Sequence, residues 1–254
     1  MKVSVITVCF NSESTIEQTI RSVLTQTYSS IEHIIIDGNS IDQTQEIIQS
    51  YQDNISRIVF EEDKGIYDAM NKGVRLATGD IICILNSDDV FANDNVVRDV
   101  VNEFCSNSNL DVLLTDINFV DFNDPRKRQL RYISCLRFSK WKLRFGWMPP
   151  HPGMFIKRRV CDEVGPYKLS YKIAADYEFM VRLFFTHRIL YASKSICTVN
   201  MRRGGISTTG FSATDTISRE IVSACVENGV YTNYCLVSLR IPIKWWTEIV
   251  SRRL

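Results

Sequence analysis

From Val3 to Leu85 the chain alternates short β-branched runs with stretches of helical period, and no other feature restricts its fold so tightly. Val3-Ser4-Val5-Ile6-Thr7-Val8 reads as a strand. Ile16, Ile20, Val23 and Leu24 then share one face of a helix, with Ser14 and Glu17 at capping-box spacing at its start. Ile31 to Ile36 is a second strand, closed by Asp37-Gly38-Asn39. Ser40 and Gln43 are placed to cap a second helix that buries Ile47, Ile48 and Tyr51. Ile55 to Phe60 is a third strand. Ile66, Met70 and Val74 mark one face of a third helix, which stops near Gly79. Asp80 to Leu85 is a fourth strand. Strands separated by helices of this length form parallel βαβ units. The expected fold is therefore α/β, with a Rossmann-like, mostly parallel central sheet flanked by helices.

The remainder is less regular. Leu110 to Phe122 has strand character, and residues 123–150 read as loop with basic and aromatic residues mixed. Met154-Phe155-Ile156 is a short strand. Ala174 to Phe185 is a helix with Tyr177, Met180, Leu183 and Phe184 inward, and Ile189 to Val199 returns as strand. Arg202-Arg203-Gly204-Gly205 breaks the pattern, and two helices start near Ala213 and Tyr231. There is no repeat, low-complexity tract or linker. One domain, 1–254, is expected, with a first half (1–122), a second half (123–212) and a C-terminal helical extension (213–254).

Composition excludes some functions. The net charge of +1 gives no global field for a nucleic-acid partner. Charge is uneven locally: between Pro125 and Cys161 there is no Asp or Glu, yet 11 of the 30 basic residues fall there. Phe138, Trp141, Phe145 and Trp147 interleave with them, and Lys244, Trp245, Trp246, Arg252 and Arg253 add to the pattern at the C-terminus. Basic plus aromatic surface fits an anionic membrane interface. It fits equally well basic side chains over a polar loop with the aromatics in the core. No apolar stretch reaches the roughly 18 residues of a membrane span, and the N-terminus lacks a signal-peptide layout. The eight cysteines include no Cys-x-x-Cys pair, which argues against zinc and for a reducing compartment. A cytoplasmic location is expected, with the inner membrane face as a place of peripheral contact.

Several constellations carry chemistry. Leu85-Asn86-Ser87-Asp88-Asp89 is an apolar run ending in paired carboxylates, at the place where α/β sheets put their ligands. Adjacent carboxylates repel unless a cation or solvent relieves them. A divalent ion shared with substrate phosphates does so, and so does a solvated turn. The strand ends Thr7–Asn11 and Asp37–Asn39 carry neither a Gly-x-Gly-x-x-Gly fingerprint nor a P-loop. Asp37 suits a base N–H or ribose hydroxyls, because a carboxylate only accepts; it also suits a plain turn with Gly38. Asp63–Gly73 is a further candidate: on its helix Asp68, Asn71, Lys72 and Arg75 share the face opposite Ile66, Met70 and Val74. Gly65 permits close approach of a ligand to the backbone. That face is a binding surface or an ordinary solvated one.

Taken together, VSVITVCFNSESTI, IIIDGNSIDQT, DKGIYDAMNKGVRLATGD and ILNSDD resemble the family 2 glycosyltransferases, whose fold is GT-A, in order and approximate spacing. The resemblance implies that Thr7, Asn11, Asp37, Gly65, Asp68, Asn71 and Ser87 serve the nucleotide of a nucleotide-diphosphate sugar. Asn86-Ser87-Asp88 would stand for the family's Asp-x-Asp metal motif, with Asn86 replacing the first aspartate. Asp88 then carries most of the contact to Mn²⁺ or Mg²⁺, with Asp89 beside it. HPGMFIKR, VGPY and AADYEF extend the resemblance to the acceptor side, where Asp176 occupies the place of the general base. Asp176 also fits a helix N-cap, and Glu178 is the alternative base. His151 fits a ligand-orienting or a structural role. Arg202 and Arg203, before Gly-Gly-Ile-Ser, fit a diphosphate clamp or surface charges. His33 and His187 are assigned no catalytic role. The implied reaction is an inverting in-line displacement at an anomeric carbon. A lipid-linked saccharide of bacterial surface polysaccharide synthesis is the natural acceptor. The competing readings are a nucleotidyltransferase, which normally carries a Gly-rich loop absent at Asn11–Ser14, and a silent sugar-nucleotide or glycan-binding protein.

Overall fold

The structure, a computed structural model, describes residues 1–121, 129–202 and 211–240. Strands β1 (Val3–Cys9), β2 (Ile31–Asp37), β3 (Arg57–Phe60) and β4 (Ile81–Ile84) are joined by helices α1 (Ile16–Leu24), α2 (Thr44–Ser50) and α3 (Ile66–Leu76). All four strands are parallel, in the order β3-β2-β1-β4. Next come β5 (Val90–Phe91), α4 (Val96–Ser106), β6 (Val112–Val120), β7 (Gln129–Ile133), β8 (Met154–Lys157), α5 (Arg158–Val164), α6 (Ala175–Thr186), β9 (Tyr191–Arg202), α7 (Phe211–Glu227) and α8 (Tyr234–Ser238). The sheet continues from β4 through β8, β6 and β9 to β5, and β7 pairs with β6. Parallel pairing is unbroken from β3 to β4; beyond it β8 runs antiparallel to both β4 and β6, and β5 antiparallel to β9, while β6 and β9 are parallel. The part built from β1 to β4 is wholly parallel, as read from the sequence, and the rest of the sheet mixes both directions.

Strand alternation sorts the core onto two faces. Ile6, Val8, Ile34, Ile36, Ile82 and Ile84 point to the layer of α3, α5, α6 and α7. Val3, Val5, Ile81, Cys83, Leu85 and Phe155 point the other way, against the valines and Phe104 of α4. Cys9 and Ile35 meet Ile16, Ile20 and Ile48 of α1 and α2. Contact between α3 and the sheet depends on Gly73, where an added Cβ would fall 2.3 Å from the Ile6 Cγ2.

Some local expectations fail. Ser14 and Glu17 form no capping box, because the N-cap of α1 is Thr15 without a side-chain bond. Glu17 instead accepts from Arg21 and from the Tyr51 hydroxyl. The N-cap of α2 is Gln43, also without a side-chain bond, and Ser40 turns back to Asp37. On α3 the buried face is Ala69, Met70, Asn71 and Gly73, whereas Ile66 is exposed. Asn71 is therefore not on the solvent side with Asp68. Its amide donates to the Tyr167 carbonyl (2.9 Å) and accepts the Tyr167 N–H (2.8 Å). Helix α6 buries Tyr177, Met180, Leu183 and Phe184 as expected.

Candidate active site

The carboxyl ends of β1, β2 and β4 lie side by side, with Cys9 in register with Asp37. Because β8 is antiparallel to β4 and pairs Ile156 with Ile82, its start, preceded by His151, reaches the same edge. Strand β9 runs parallel to β6 and ends at Arg202, also at this edge. Topology thus gathers Asp37, Asn86–Asp89, His151 and Arg202 at the strand edge where α/β sheets bind ligands.

The Asn86–Asp89 turn is closed by the Asp89 N–H on the Asn86 carbonyl (3.0 Å). Its other carbonyls are held from outside. The Thr19 hydroxyl of α1 lies 2.8 Å from the Ser87 carbonyl and 2.7 Å from that of Asp89. Arg202 donates to the Asp88 carbonyl (2.5 Å) and to the side chain of Gln18. Ser87 Oγ meets Ser12 Oγ at 2.8 Å, which joins the β4 and β1 loops. Arg202 is buried at a strand end, not set on a flexible loop, and braces the turn. Arg203 lies outside the described residues. Burial raises the Asp88 pKa, opposed in part by Arg202. Asp89, fully buried, is raised well above the usual carboxylate value by burial and then by the charge of Asp88. The Asn86 amide donates to Asp89 Oδ2 (3.3 Å), while its Oδ1 is buried with no hydrogen-bond partner. An orphan oxygen beside two destabilised carboxylates fits a hard cation. Among the described residues, no group of three His, Cys, Asp or Glu forms a metal cage.

Around the β2 end the interactions are mostly internal. Asp37 is fully buried on the side of the sheet that faces α2. It accepts from Ser40 N–H (2.8 Å), Ser40 Oγ (2.5 Å), Gln45 Nε2 (3.0 Å) and Cys9 Sγ (3.4 Å). Asn11, in the left-handed region at φ 49°, ties the two loops by donating its N–H to Ser40 Oγ and accepting the Ile41 N–H. Gly38 lies close to Asp63, whose carboxylate would have to move for a Cβ there, 2.5 Å from its Oδ2. Gly65, at φ +105°, faces open space at the start of α3. Asp68 is half-buried and accepts the Lys64 N–H (3.1 Å). Thr7 is not brought to the cleft. It is fully buried within β1, with its hydroxyl 3.1 Å from His33 Nε2.

Asp176 lies in the first turn of α6, two residues past the N-cap Ala174, so it is not the cap itself. Its Oδ1 accepts the Tyr177 N–H (2.8 Å) and lies 3.3 Å from the Tyr67 hydroxyl. Burial raises its pKa, opposed by His151. His151 is buried, its Nε2 is 2.9 Å from the Tyr167 hydroxyl, and burial lowers its pKa against the charge of Asp176. Glu178 is engaged otherwise: fully buried, it pairs with Lys168 (3.0 Å) and Arg182 (2.9 Å). The enclosed space between Asn71, Ile82, Ile156, Tyr167 and Phe179 lies in the core beneath α3 and α6, behind this edge.

The sequence reasoning passed over Thr19, Gln18, Ser12 and Tyr67. The signal for Thr19 was a hydroxyl set within the apolar face of α1. Tyr67 stood inside the DKGIYDAMNKG segment, one residue from Asp68.

The sequence matches the profile of Glycosyl transferase family 2 over residues 4–165, from β1 to the end of α5. An uncharacterised glycosyltransferase of Mycobacterium tuberculosis is 34% identical over 183 residues, covering 71% of this chain and 68% of that protein. A PGL/p-HBAD biosynthesis glycosyltransferase of Mycobacterium bovis is 27% identical over 210 residues, covering 81% and 79%. Among solved structures, S. aureus TarS 1-349 in complex with UDP-GlcNAc superposes with a TM-score of 0.69 at 20% identity, over 89% of this chain and 67% of that one. A mannosyltransferase of Pyrobaculum calidifontis, in complex with GDP-Man and Mn²⁺, gives 0.63 at 17% identity, over 89% and 63%. In other TarS structures the chain spans about two thirds of the 1-349 fragment's length. With the GT-A fold in these neighbours and the family profile across most of the sheet, this chain belongs to glycosyl transferase family 2.

Proposed function

We propose that the protein is an inverting glycosyltransferase that moves a hexosyl or N-acetylhexosaminyl group from a nucleotide-diphosphate sugar to an acceptor hydroxyl. The observation that carries this reading is the braced carboxylate turn at the strand edge, together with a buried carboxylate at the start of α6 that lies 3.3 Å from the Tyr67 hydroxyl. Family neighbours in complex with UDP-GlcNAc and with GDP-Man and Mn²⁺ support the donor class. Asp88 and the orphan oxygen of Asn86 would hold a divalent ion, which supplies charge neutralisation for a leaving diphosphate. The acceptor hydroxyl attacks the anomeric carbon as Asp176 takes its proton, and the bond to the diphosphate breaks with inversion. A carboxylate raised by burial is a stronger base than an exposed one.

Asp176→Asn is expected to bind donor as the unaltered protein does and to lose transfer by about 10²-fold or more. Release of nucleoside diphosphate from UDP-GlcNAc and GDP-mannose, with lipid-linked saccharide supplied, measures this. Near-normal release removes Asp176 from the role.

The acceptor we favour is a lipid-linked saccharide. Leu136, Trp141 and Phe145 are exposed, beside exposed Arg137 and Lys142, while Phe138 packs inward on Phe184 (5.0 Å). The aromatics of this segment are thus divided between core and surface. No helix among the described residues is long and apolar enough to cross a membrane, so contact would be peripheral, each Lys or Arg contributing about 1 kcal/mol at an anionic surface. The protein is expected to pellet with anionic vesicles at low salt and to stay in the supernatant with neutral ones. Equal behaviour with both rejects the membrane reading.

A further inference from the structure

Helix α6 starts without a side-chain cap of its own. The unpaired N–H groups of a helix start need acceptors; Asp176 takes that of Tyr177 within the first turn, and those of the N-cap Ala174 and the two residues before it are taken from elsewhere in the chain. Glu220 of α7 accepts the N–H of Lys172 (2.8 Å) through one oxygen, and those of Ile173 (3.0 Å) and Ala174 (2.8 Å) through the other. From the opposite side, the Tyr67 hydroxyl of α3 donates to the Ile173 carbonyl and lies 3.3 Å from Asp176 Oδ1. The three residues leading into the catalytic turn are therefore held on their amide side by the C-terminal helix and on a carbonyl side by a helix of the donor half.

We propose that Tyr67 and Glu220 are positioning residues that fix the carboxylate of Asp176 for proton removal, a role that rests on Asp176 being the base. Tyr67 sits two residues from Gly65, at the open end of α3, and so links the donor side of the cleft to the base. A misplacement of about 1 Å at a reacting group costs on the order of 10²-fold in rate. A clamp on residues 172–174 guards against such a shift, because the N-cap Ala174 has no side-chain acceptor to hold the start of α6.

The groups around Asp176 set the sign of a titration test. From α3 comes Tyr67, whose phenol is pushed far above its ordinary pKa by burial and by the Asp176 charge, and so stays a donor. From the turn before β8 comes His151, whose pKa is lowered by burial, and from the segment after α5 comes Tyr167, whose hydroxyl meets His151. From α6 itself comes the Tyr177 N–H. From α7, Glu220 faces the backbone of 172–174. A donor to a carboxylate favours its charged form, so removal of the Tyr67 hydroxyl raises the Asp176 pKa.

The test uses full-length protein labelled with ¹³Cγ aspartate, the Asp176 resonance being assigned by its loss in Asp176→Asn. In Tyr67→Phe the Asp176 midpoint is expected to rise by about half a pH unit or more. Release of nucleoside diphosphate from UDP-GlcNAc and GDP-mannose is followed in parallel. Tyr67→Phe and Glu220→Ala are expected to lose about tenfold in kcat with KM for donor within about twofold. Glu220→Gln, whose amide oxygen still accepts, should recover most of that loss. An unmoved Asp176 midpoint in Tyr67→Phe, with unaltered kcat in both Tyr67→Phe and Glu220→Ala, overturns the proposal. Near-normal turnover in Asp176→Asn overturns the base assignment instead, and leaves the titration result standing as structural.

Discussion

Asn86 is the residue where the site departs most from a pair of ligating carboxylates. Its Oδ1 is buried without a partner, and Asp88 and Asp89 next to it are both held above the usual carboxylate range by burial. A third negative charge there is expected to be unfavourable unless a cation offsets it. Asn86→Asp should lower the melting temperature by about 2–4 °C in chelator, near 1 kcal/mol for a chain of this size, and Mn²⁺ should restore it. Scanning fluorimetry in EDTA and in Mn²⁺ measures both, and a variant indifferent to both conditions refutes this account of the turn. At the same scale, the place of Asp88 just past β4 was legible because an apolar strand that ends in carboxylates is a local pattern. The surroundings of Thr7 and Asn71 were not, because their partners are not local: His33 lies on the neighbouring strand, and Tyr167 lies 96 residues away. A hydroxyl or amide in sequence looks the same whether it serves a ligand or a buried neighbour.

Between elements, Glu32 does for the far end of the sheet what Arg202 does for the site. On β2 it accepts from Lys2 Nζ (2.7 Å), Ser4 Oγ (2.6 Å) and Thr78 N–H (2.8 Å), joining β1, β2 and the loop before β4. Burial works to raise its pKa, but these donors outweigh it and bring the value down to about 2. Since the folded value lies below the unfolded one, the stabilisation is complete above the ordinary carboxylate pKa and fades as pH falls toward 2. Glu32→Gln is expected to cost about 2 kcal/mol near neutral pH, and the gap to the unaltered protein should narrow between about pH 5 and pH 3. Urea melts at those pH values check this, and a constant gap contradicts it. The βαβ units of the first half were legible from period alone. Helix α4 was not, because its Val96, Val97, Val100 and Val101 are poor helix formers held by packing against the sheet. Helix α5 is seven residues long and highly charged, and β5 is two residues long, so neither offers a period to read. The β8–β6–β9 order depends on one antiparallel and one parallel pairing between partners far apart in sequence, which no local pattern encodes.

At the scale of the whole molecule, the parallel half supplies an edge and the mixed half completes it. Arg202 ends a strand begun at Tyr191 and braces a turn 114 residues earlier, while Tyr67 of the first half meets the start of α6. A nucleotide-sugar site at this edge is the central claim, and calorimetry of UDP, GDP and dTDP with and without Mn²⁺ tests it most directly, on the unaltered protein and on Asp88→Asn. Binding of one nucleotide that strengthens at least tenfold with Mn²⁺, about 1.4 kcal/mol, and loses that gain in Asp88→Asn is the predicted result. Well-folded protein that binds none of the three under either condition, or binds one with no change in Asp88→Asn, would contradict it.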